Sequence, residues 1–403
     1  MLIYYRFNNF CSFNCDSEFS MSAPTGKVKK RFPDNFVETG EGFDLLKSAV
    51  IVGENAGGKS NFINSLKYLK SLFVTNSQVK SVRPYVNAAS LKEEQNPVQK
   101  FELCFRAENG KVYVYHLHLN KSGIVYEELQ KFELCFKANN GKVYVYELQI
   151  NEYSILLEKL QVLKKKKETP ITLFEVVRNE DGAWRAVSQN ISGLSASMNK
   201  FLLGDGLKPG ANIGLIVSKF ALLGDEDALA VVDWVTNTLY PESLSEQTAD
   251  DVMKLDADMH ILEDERYLEI FRMVDYSICG IELDKEKPYS KTIIIRKDDK
   301  GNLFRRELQM DSTGVREFFA WAVHIFLVVY EDKVVFADEM DRVLNPILSD
   351  RVIAFVNGAE HRGQFIFSTH NVLHLDLKTY MKEQIYFVTK DRENLTSEMY
   401  SLA

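Results

Sequence analysis

The stretch Ala-Val-Ile-Val-Gly-Glu-Asn-Ala-Gly-Gly-Lys-Ser-Asn, residues 49–61, decides the fold of this 403-residue chain. It opens with four apolar residues that are typical of a buried strand, and from Ser60 onward the apolar residues follow a helical spacing. Between them, residues 53–60 fit the pattern G-x-x-x-x-G-K-[ST]. A strand, a glycine-rich loop and a helix in this order predict an α/β fold built around a P-loop.

Each residue type in this loop suits the binding of phosphate groups. Glycines let the backbone turn tightly, so that successive N–H groups point at phosphate oxygens, and the following helix adds the positive end of its dipole. Lys59 is expected to reach the β- and γ-phosphates, and the Ser60 hydroxyl to bind Mg²⁺. The residues of this predicted nucleoside triphosphate site are Gly53, Glu54, Asn55, Ala56, Gly57, Gly58, Lys59 and Ser60.

Two later apolar segments end in residues that suit hydrolysis of a phosphate ester. Residues 333–339, Lys-Val-Val-Phe-Ala-Asp-Glu, predict a strand that ends in two carboxylates. Asp338 is expected to hold Mg²⁺, and Glu339 to orient and deprotonate the attacking water. Residues 364–370, Gln-Phe-Ile-Phe-Ser-Thr-His, predict another strand, after which His370 is placed to hydrogen-bond the γ-phosphate.

A second anion-binding segment precedes the longest apolar helix. Residues 311–316 read Asp-Ser-Thr-Gly-Val-Arg, and a Ser side chain with a Gly backbone at a helix start can hold an anion, although Ser there is also an ordinary N-cap. Because the P-loop already serves the chain's own nucleotide, Ser312 and Gly314 are expected to face the γ-phosphate of a partner subunit. This predicts a homo-oligomer, a dimer or higher, that associates through its ATP sites.

The middle of the chain contains an internal duplication. Residues 100–119 return as residues 131–150 with 15 of 20 positions identical, and each copy predicts a strand, an Asn-Gly turn and a strand. We expect a tandem duplication that lengthens one antiparallel sheet. The extra hairpin could alternatively form a surface for a partner.

The remaining segments complete the predicted order of elements. Residues 2–20 predict a strand pair, residues 21–43 a loop, and residues 195 to about 273 a helical region. A hairpin is expected over residues 292–308. After it, helices and strands alternate to residue 389, which is typical of a parallel α/β sheet.

Composition and charge exclude some classes of protein. A share of 45% apolar and 26% charged residues excludes a disordered chain, and the net charge of −8 disfavours a protein that coats nucleic acid along its whole surface. The apolar residues 318–330 form a stretch that is expected to be too short to span a bilayer. The N-terminal residues do not resemble a signal peptide, so a cytoplasmic location without membrane contact is expected.

The order of these motifs resembles the ABC-type ATPase head of the SMC, RecF and OLD-like group. The loop G-x-N-x-x-G-K-S-N, which adds Asn61 to the nucleotide-binding residues, is similar to that of the group, and so is the run Asn-Phe-Cys-Ser-Phe at residues 9–13, which corresponds to a strand before the P-loop. Within the group, the turn at residues 338–346 and the run Phe-Ser-Thr-His-Asn at residues 367–371 look most like short AAA-type ATPases of bacterial abortive-infection, anti-phage systems.

This resemblance implies a fold, an activity and partners. The implied fold is an ABC-ATPase head, discontinuous over residues 1–75 and 290–403. The part between them matches the group only in general plan, and its own patterns predict an antiparallel β lobe over 100–190 and a helical insertion over 195–285. The implied activity is Mg²⁺-dependent ATP hydrolysis that joins and releases heads and regulates a separate effector such as a nuclease.

The sequence departs from the group in three respects. Asn345 stands before Pro346 where many relatives have His, the signature Ser-Thr-Gly-Val is looser than L-S-G-G, and there are no heptad repeats for coiled-coil arms. Two alternatives stay open: a RecF-like DNA-repair ATPase that clamps DNA, and an ATP-binding scaffold with little turnover.

Overall fold

The chain is described by a computed structural model over a defined set of residues. These are residues 1–24, 26–39, 43–74, 87–88, 99–108, 110, 112–120, 123–126, 143–151, 154–163, 171–178, 184–189, 218, 221–224, 226–241, 259–371 and 375–403.

The strands within these ranges form four sheets. In chain order the strands are β1 (Leu2–Asn8), β2 (Ser17–Ser20), β3 (Phe36–Glu38), β4 (Asp44–Leu46), β5 (Ser48–Gly53), β6 (Gln99–Arg106), β7 (Val112–Asn120), β8 (Gly123–Tyr126), β9 (Val143–Asn151), β10 (Ser154–Leu163), β11 (Ile171–Arg178), β12 (Trp184–Gln189), β13 (Leu239–Tyr240), β14 (Ile278–Glu282), β15 (Ile293–Lys297), β16 (Leu303–Glu307), β17 (Val334–Ala337), β18 (Gln364–Thr369), β19 (Ile385–Lys390) and β20 (Ser397–Ser401).

The helices lie between these strands and at both faces of the central sheet. They are α1 (Lys27–Arg31), α2 (Lys59–Val74), α3 (Glu226–Asp233), a π-helix (Trp234–Thr238), α4 (Met259–Leu262), α5 (Glu265–Phe271), α6 (Pro288–Lys291), a 3₁₀ turn (Leu308–Met310), α7 (Thr313–Glu331), α8 (Met340–Val343), α9 (Pro346–Gly358) and a second 3₁₀ turn (Lys382–Gln384).

The central sheet contains the strands that carry the predicted site. Its described strands follow the order β13-β17-β18-β5-β19-β20, and all neighbours are parallel except β19 and β20. β5, β17 and β18 are buried over nearly their whole length, as strands covered on both faces must be. The predicted parallel α/β sheet is confirmed.

Alternate side chains of this sheet enter two separate hydrophobic layers. Ala49 and Ile51 pack in the layer that contains α2 and the apolar residues of β1, whereas Val50 and Val52 pack in the layer that contains α7. Successive side chains of a strand point to opposite faces, so one strand supplies both layers. The sheet therefore lies between two cores, with its strand ends reaching the surface.

A second, larger sheet contains the N-terminal strands β1 and β2 together with the described strands of the duplicated segment. Its described strands follow the order β12-β11-β10-β9-β7-β6-β1-β2, with β8 also paired to β7. The first repeat forms the predicted hairpin β6–β7, whereas residues 131–142 of the second repeat lie outside the described residues.

The expectation that the duplication extends a purely antiparallel sheet is wrong. The second strands of the two repeats, β7 and β9, pair in parallel, and equivalent residues face each other, as in Val112 opposite Val143 and Tyr115 opposite Tyr146. β8 pairs with only the last residues of β7, which leaves the first half of β7 open to β9. The second strands of the two copies therefore lie side by side in the same direction.

The N-terminal region differs from its prediction in detail. The strand pair β1–β2 is antiparallel, as predicted. Residues 9–13, expected as a strand, form a turn instead, because Asn9 and Cys11 have positive φ values of 55° and 51° and Phe10 bridges back to Phe13. The predicted loop over residues 21–43 contains the short helix α1 and the strand β3.

The C-terminal half contains the predicted hairpin and helices, but the segment 195–285, expected as a helical insertion, also supplies β13 to the central sheet and β14 as a partner of β15. The hairpin β15–β16 is present, and helices α3, α4 and α5 lie within the region predicted as helical. The apolar residues 318–330 lie within α7, whose 19 residues are enough by length and composition to cross a membrane. It is the one described helix that is long and apolar enough, and 67% of its most apolar window is buried inside the protein, as expected of a core helix.

Candidate nucleotide-binding site

The topology brings three of the predicted motifs to one edge of the central sheet. β18 lies between β17 and β5, and the three strands run in parallel. Their carboxyl ends therefore meet at the same edge, where the P-loop follows β5, Asp338 and Glu339 follow β17, and His370 follows β18. This is the edge at which open α/β sheets bind their ligands.

The P-loop turns closely against the C-terminal strands. A Cβ atom on Gly53 would clash with the Val388 carbonyl oxygen of β19, so only glycine fits there. Gly58 has φ +121°, and a Cβ atom on it would lie 2.5 Å from the Ser397 hydroxyl oxygen of β20. Glycine is required at both positions. At Gly53 the reason is the close approach of another strand, and at Gly58 it is close approach together with the positive φ.

The tip of the loop is open and its base is buried. Glu54, Asn55 and Ala56 are exposed, whereas Gly57, Gly58 and Lys59 are buried. α2 begins at Lys59, and the first N–H groups of a helix have no acceptor within it. The loop thus presents backbone donors next to a positive helix end, which is the arrangement that binds phosphate.

Lys59 contacts both the loop and the strand that ends in His370. Its Nζ lies 2.8 Å from the Gly53 carbonyl oxygen, 3.1 Å from that of Glu54 and 3.3 Å from Nδ1 of His370. An ammonium group can only donate, so Nδ1 of His370 is the acceptor in this contact and Nε2 is the other ring nitrogen. That Nε2 lies 4.0 Å from Oε1 of Glu339. Three predicted site residues are thereby brought together.

Burial and nearby carboxylates act in opposite directions on Lys59. Burial lowers the pKa of its ammonium, and the negative charges of Asp338, Glu339 and Asp341 partly offset this effect. The site therefore contains one buried cation among several carboxylates.

The two adjacent acidic residues are fixed by the neighbouring strand. Ser368 of β18 donates its hydroxyl to Oδ1 of Asp338 at 2.5 Å and accepts the backbone N–H of Glu339 at 2.8 Å. Glu339 has the left-handed conformation, with φ 47° and ψ 51°. A non-glycine residue with this conformation stores strain that the surrounding contacts must hold, and such residues occur preferentially at functional sites.

The donor set fits a small divalent cation. Ser60 offers a hydroxyl at the start of α2, and Asp338 offers a buried carboxylate beside Lys59, and both are the hard oxygen ligands that Mg²⁺ prefers. No group of three or more His, Cys, Asp or Glu side chains in the described part of the chain could hold a metal. Mg²⁺ usually keeps several waters and binds only one or two protein carboxylates.

Ser312 and Gly314 lie at the start of α7. Ser312 is the N-cap of α7, and its side chain accepts the N–H of Val315 at 3.4 Å. Both residues are exposed. Within the described ranges no hydrogen bond or ion pair joins either of them to the P-loop of the same chain.

Several contacts of the site were missed by the sequence reasoning. Asp341 accepts the backbone N–H of His370 at 3.2 Å, and Ser368 holds Asp338 and Glu339. Asn61, Ser12 and Ser397 form a hydrogen-bonded group beside Gly57. Asp341 and Ser12 lie within the quoted runs at residues 338–346 and 9–13, whereas nothing in the local sequence indicates Ser397.

Comparison with known proteins places the chain in a family. Residues 48–376, which are most of the chain, match the family described as "AAA domain, putative AbiEii toxin, Type IV TA system". A comparison with curated proteins finds no match.

Among solved structures, the chain is similar to heads of SMC proteins. The SMC head domain from Thermotoga maritima has 15% identity and a TM-score of 0.41, with 99% of this chain and 98% of that chain covered. The SmcHead bound to the C-winged helix domain of ScpA has 11% identity and a TM-score of 0.45, with 100% and 98% covered. Similarity at this level does not bear on function. The family match confirms the predicted resemblance: the chain belongs to the AAA-domain family of the putative AbiEii toxin type.

Proposed function

We propose that this chain binds ATP with Mg²⁺ and hydrolyses it to ADP and phosphate. The observation that carries the proposal is the meeting of Lys59, Glu339 and His370 at the carboxyl edge of three adjacent strands. A P-loop with an acidic pair and a polar group on the neighbouring strands combines phosphate binding with water activation.

Each side chain has a role in this proposal. Lys59 and the N–H groups at the start of α2 bind the phosphates, and Ser60 and Asp338 hold Mg²⁺, which neutralises phosphate charge when bound. Glu339 accepts a proton from the attacking water. His370, whose Nε2 lies 4.0 Å from Oε1 of Glu339, hydrogen-bonds the γ-phosphate.

The test of this activity is phosphate release with two variants. Lys59→Ala should abolish ATP binding, because it removes the cation of the loop. Glu339→Gln should still bind ATP but hydrolyse it at least about 100-fold more slowly, because an amide cannot accept the water proton. Lys67→Ala on the same helix and Glu331→Gln at the end of α7 are the matched controls. Wild-type turnover by Glu339→Gln would remove Glu339 from its assigned role.

We further propose that ATP joins two copies of the chain and that hydrolysis separates them. The support is the exposed position of Ser312 and Gly314 at the start of the 19-residue helix α7, unconnected to their own P-loop within the described residues. Such a helix start can bind the γ-phosphate of a neighbouring subunit. ATP-dependent doubling of the mass of Glu339→Gln in light scattering is the expected result, and a constant monomer mass would contradict it.

For the biological role, we propose that the cytoplasmic chain regulates a separate effector, such as a nuclease, during phage infection. The support is the description of its family, which names a putative toxin of a toxin–antitoxin system. Cells that carry the chain with its neighbouring gene should survive phage challenge as a population, and cells with Lys59→Ala should not. Equal phage titres on both would contradict the defence role.

A further inference from the structure

Two serines from opposite ends of the chain meet at the P-loop. Ser12 lies in the turn that follows β1, and Ser397 is the first residue of β20 and is fully buried. Oγ of Ser397 lies 2.5 Å from the carbonyl oxygen of Gly57 and 2.7 Å from Oγ of Ser12. Oγ of Ser12 lies 2.8 Å from Nδ2 of Asn61.

The donors and acceptors of these side chains allow the hydrogen bonds between them to run in one direction only. A carbonyl oxygen can only accept, so the hydroxyl proton of Ser397 belongs to the bond with Gly57. Ser12 must then donate its own proton to Ser397, and it accepts from the Asn61 amide. Each hydroxyl donates once and accepts once, which completes a chain of hydrogen bonds from Asn61 to Gly57.

This chain of bonds spans the part of the loop that would contact phosphate and metal. Gly57 and Asn61 lie on either side of Gly58, Lys59 and Ser60, so the two serines fix the ends of that segment. The serine backbones are also joined, because the N–H of Ser397 donates to the carbonyl oxygen of Ser12 at 2.7 Å. We call the pair Ser12 and Ser397 the clamp. It is held by backbone as well as side-chain hydrogen bonds.

The clamp also explains the close approach at Gly58. A Cβ atom there would lie 2.5 Å from the Ser397 hydroxyl and 3.0 Å from that of Ser12. The hydroxyls thus occupy the space beside the loop that a side chain would need. A loop fixed in this way loses less conformational freedom when it binds an anion.

We propose that Ser12 and Ser397 are positioning residues that hold the P-loop in its phosphate-binding conformation. The inference rests on the proposed ATP binding and extends it to both termini of the chain. Within the described contacts neither serine touches Glu339 or His370. Their removal should therefore weaken nucleotide binding and leave the chemical step nearly unchanged.

The first test is Ser397→Ala, with ATP and Mg²⁺ as the probe. Loss of one buried hydrogen bond should raise the Kd for ATP by about tenfold. KM should rise by a similar factor, while kcat at saturating ATP stays within about twofold. Ser401→Ala is the matched control, because this residue ends the same strand and its hydroxyl accepts only the N–H of Ala403 at 3.0 Å in the described contacts.

The second test is the double variant with Ser12→Ala. Because both serines belong to one chain of bonds, the double variant should bind ATP about as weakly as either single variant, rather than showing the product of two losses. Ser12 is half-buried, so Ser12→Ala serves on its own if thermal unfolding shows that Ser397→Ala is not folded.

Three results would overturn the inference. These are a wild-type Kd for ATP in a folded Ser12→Ala or Ser397→Ala, a fall in kcat with unchanged KM, and independent losses in the double variant. If the unchanged protein does not bind ATP, the proposed function fails and the clamp with it. If the unchanged protein binds ATP and Lys59→Ala does not, only the serine variants decide the inference.

Discussion

At the scale of single residues, the site depends on hydrogen bonds that cross between strands. Ser368 belongs to β18, yet its hydroxyl contacts both acidic residues that follow β17. One small side chain therefore orients a predicted metal ligand and a predicted base. Mutation of a residue that orients a metal ligand typically costs roughly 10- to 100-fold in metal affinity or activity.

Ser368→Ala should lower the ATPase rate by roughly 10- to 100-fold. It should also lower the free energy of unfolding by about 1–2 kcal/mol, because the buried Asp338 carboxylate and the Glu339 N–H lose a partner. The measurements are phosphate release and urea unfolding. Ser48→Ala is the control, since this fully buried serine of β5 bonds Asn357 at the opposite edge of the same sheet. Equal effects of the two variants on the ATPase rate would contradict the orienting role of Ser368.

The backbone of Glu339 gives a second prediction at this scale. Its left-handed backbone conformation, φ 47°, is unfavourable for any residue that has a Cβ atom and is unstrained only for glycine. Glu339→Gly should therefore abolish hydrolysis and yet raise the free energy of unfolding by about 0.5–1 kcal/mol. Leu395→Gly, at an exposed loop residue with φ 58°, should give a similar gain with unchanged hydrolysis. Destabilisation by Glu339→Gly would show that side-chain contacts outweigh the backbone strain.

At the scale of elements, the core helix α7 contains a histidine that makes the stability of the fold depend on pH. His324 lies within it, with Nδ1 shielded from solvent. Burial lowers the pKa of His324 to about 4 from its ordinary value of 6.5. The unfolded chain therefore takes up a proton below pH 6.5, whereas the folded chain does so only near pH 4.

The native state should consequently lose stability between pH 6.5 and 4. The contribution of His324 to this loss is on the order of 2–3 kcal/mol. In urea unfolding, His324→Leu should lose less stability than the wild type between pH 7 and 4.5, because leucine does not titrate. His260→Asn, at an exposed position, should follow the wild type. Parallel pH profiles of His324→Leu and wild type would rule out this contribution.

The elements also show which parts of the structure can be predicted from the sequence. The P-loop, the acidic pair and His370 each follow a predicted strand, and the alternation of helices and strands predicts parallel strands, so their ends are expected at one sheet edge. The parallel pairing of β7 with β9 could not be predicted, because an Asn-Gly turn specifies a local hairpin and says nothing of the next neighbour. Ser397 could not be found either, since its partner Ser12 is at the other end of the chain.

At the scale of the whole molecule, the exposed start of α7 bears on how many chains make one site. The P-loop, Glu339 and His370 are joined by contacts within one chain. Ser312 and Gly314 have no such connection within the described residues. If they complete the site of a second copy, then each site takes its parts from two chains, and two inactive variants can rescue each other.

Subunit mixing tests this arrangement directly. Ser312→Arg should bind ATP normally and hydrolyse it poorly, because a bulky side chain at this N-cap blocks the facing subunit, whereas Lys59→Ala should not bind ATP. In a mixed dimer, the P-loop of the Ser312→Arg chain faces the intact Ser312 of the Lys59→Ala chain. One of its two sites is then complete, and phosphate release should reappear on mixing, at up to about a quarter of the wild-type rate for random pairing of equal amounts.

Mixing Lys59→Ala with Glu339→Gln is the control. This mixture gives no complete site, since the P-loop and Glu339 act in one chain, and it should stay inactive. Activity of Ser312→Arg alone at the wild-type rate, or a mixture as inactive as its components, would mean that α7 does not reach across to a second nucleotide.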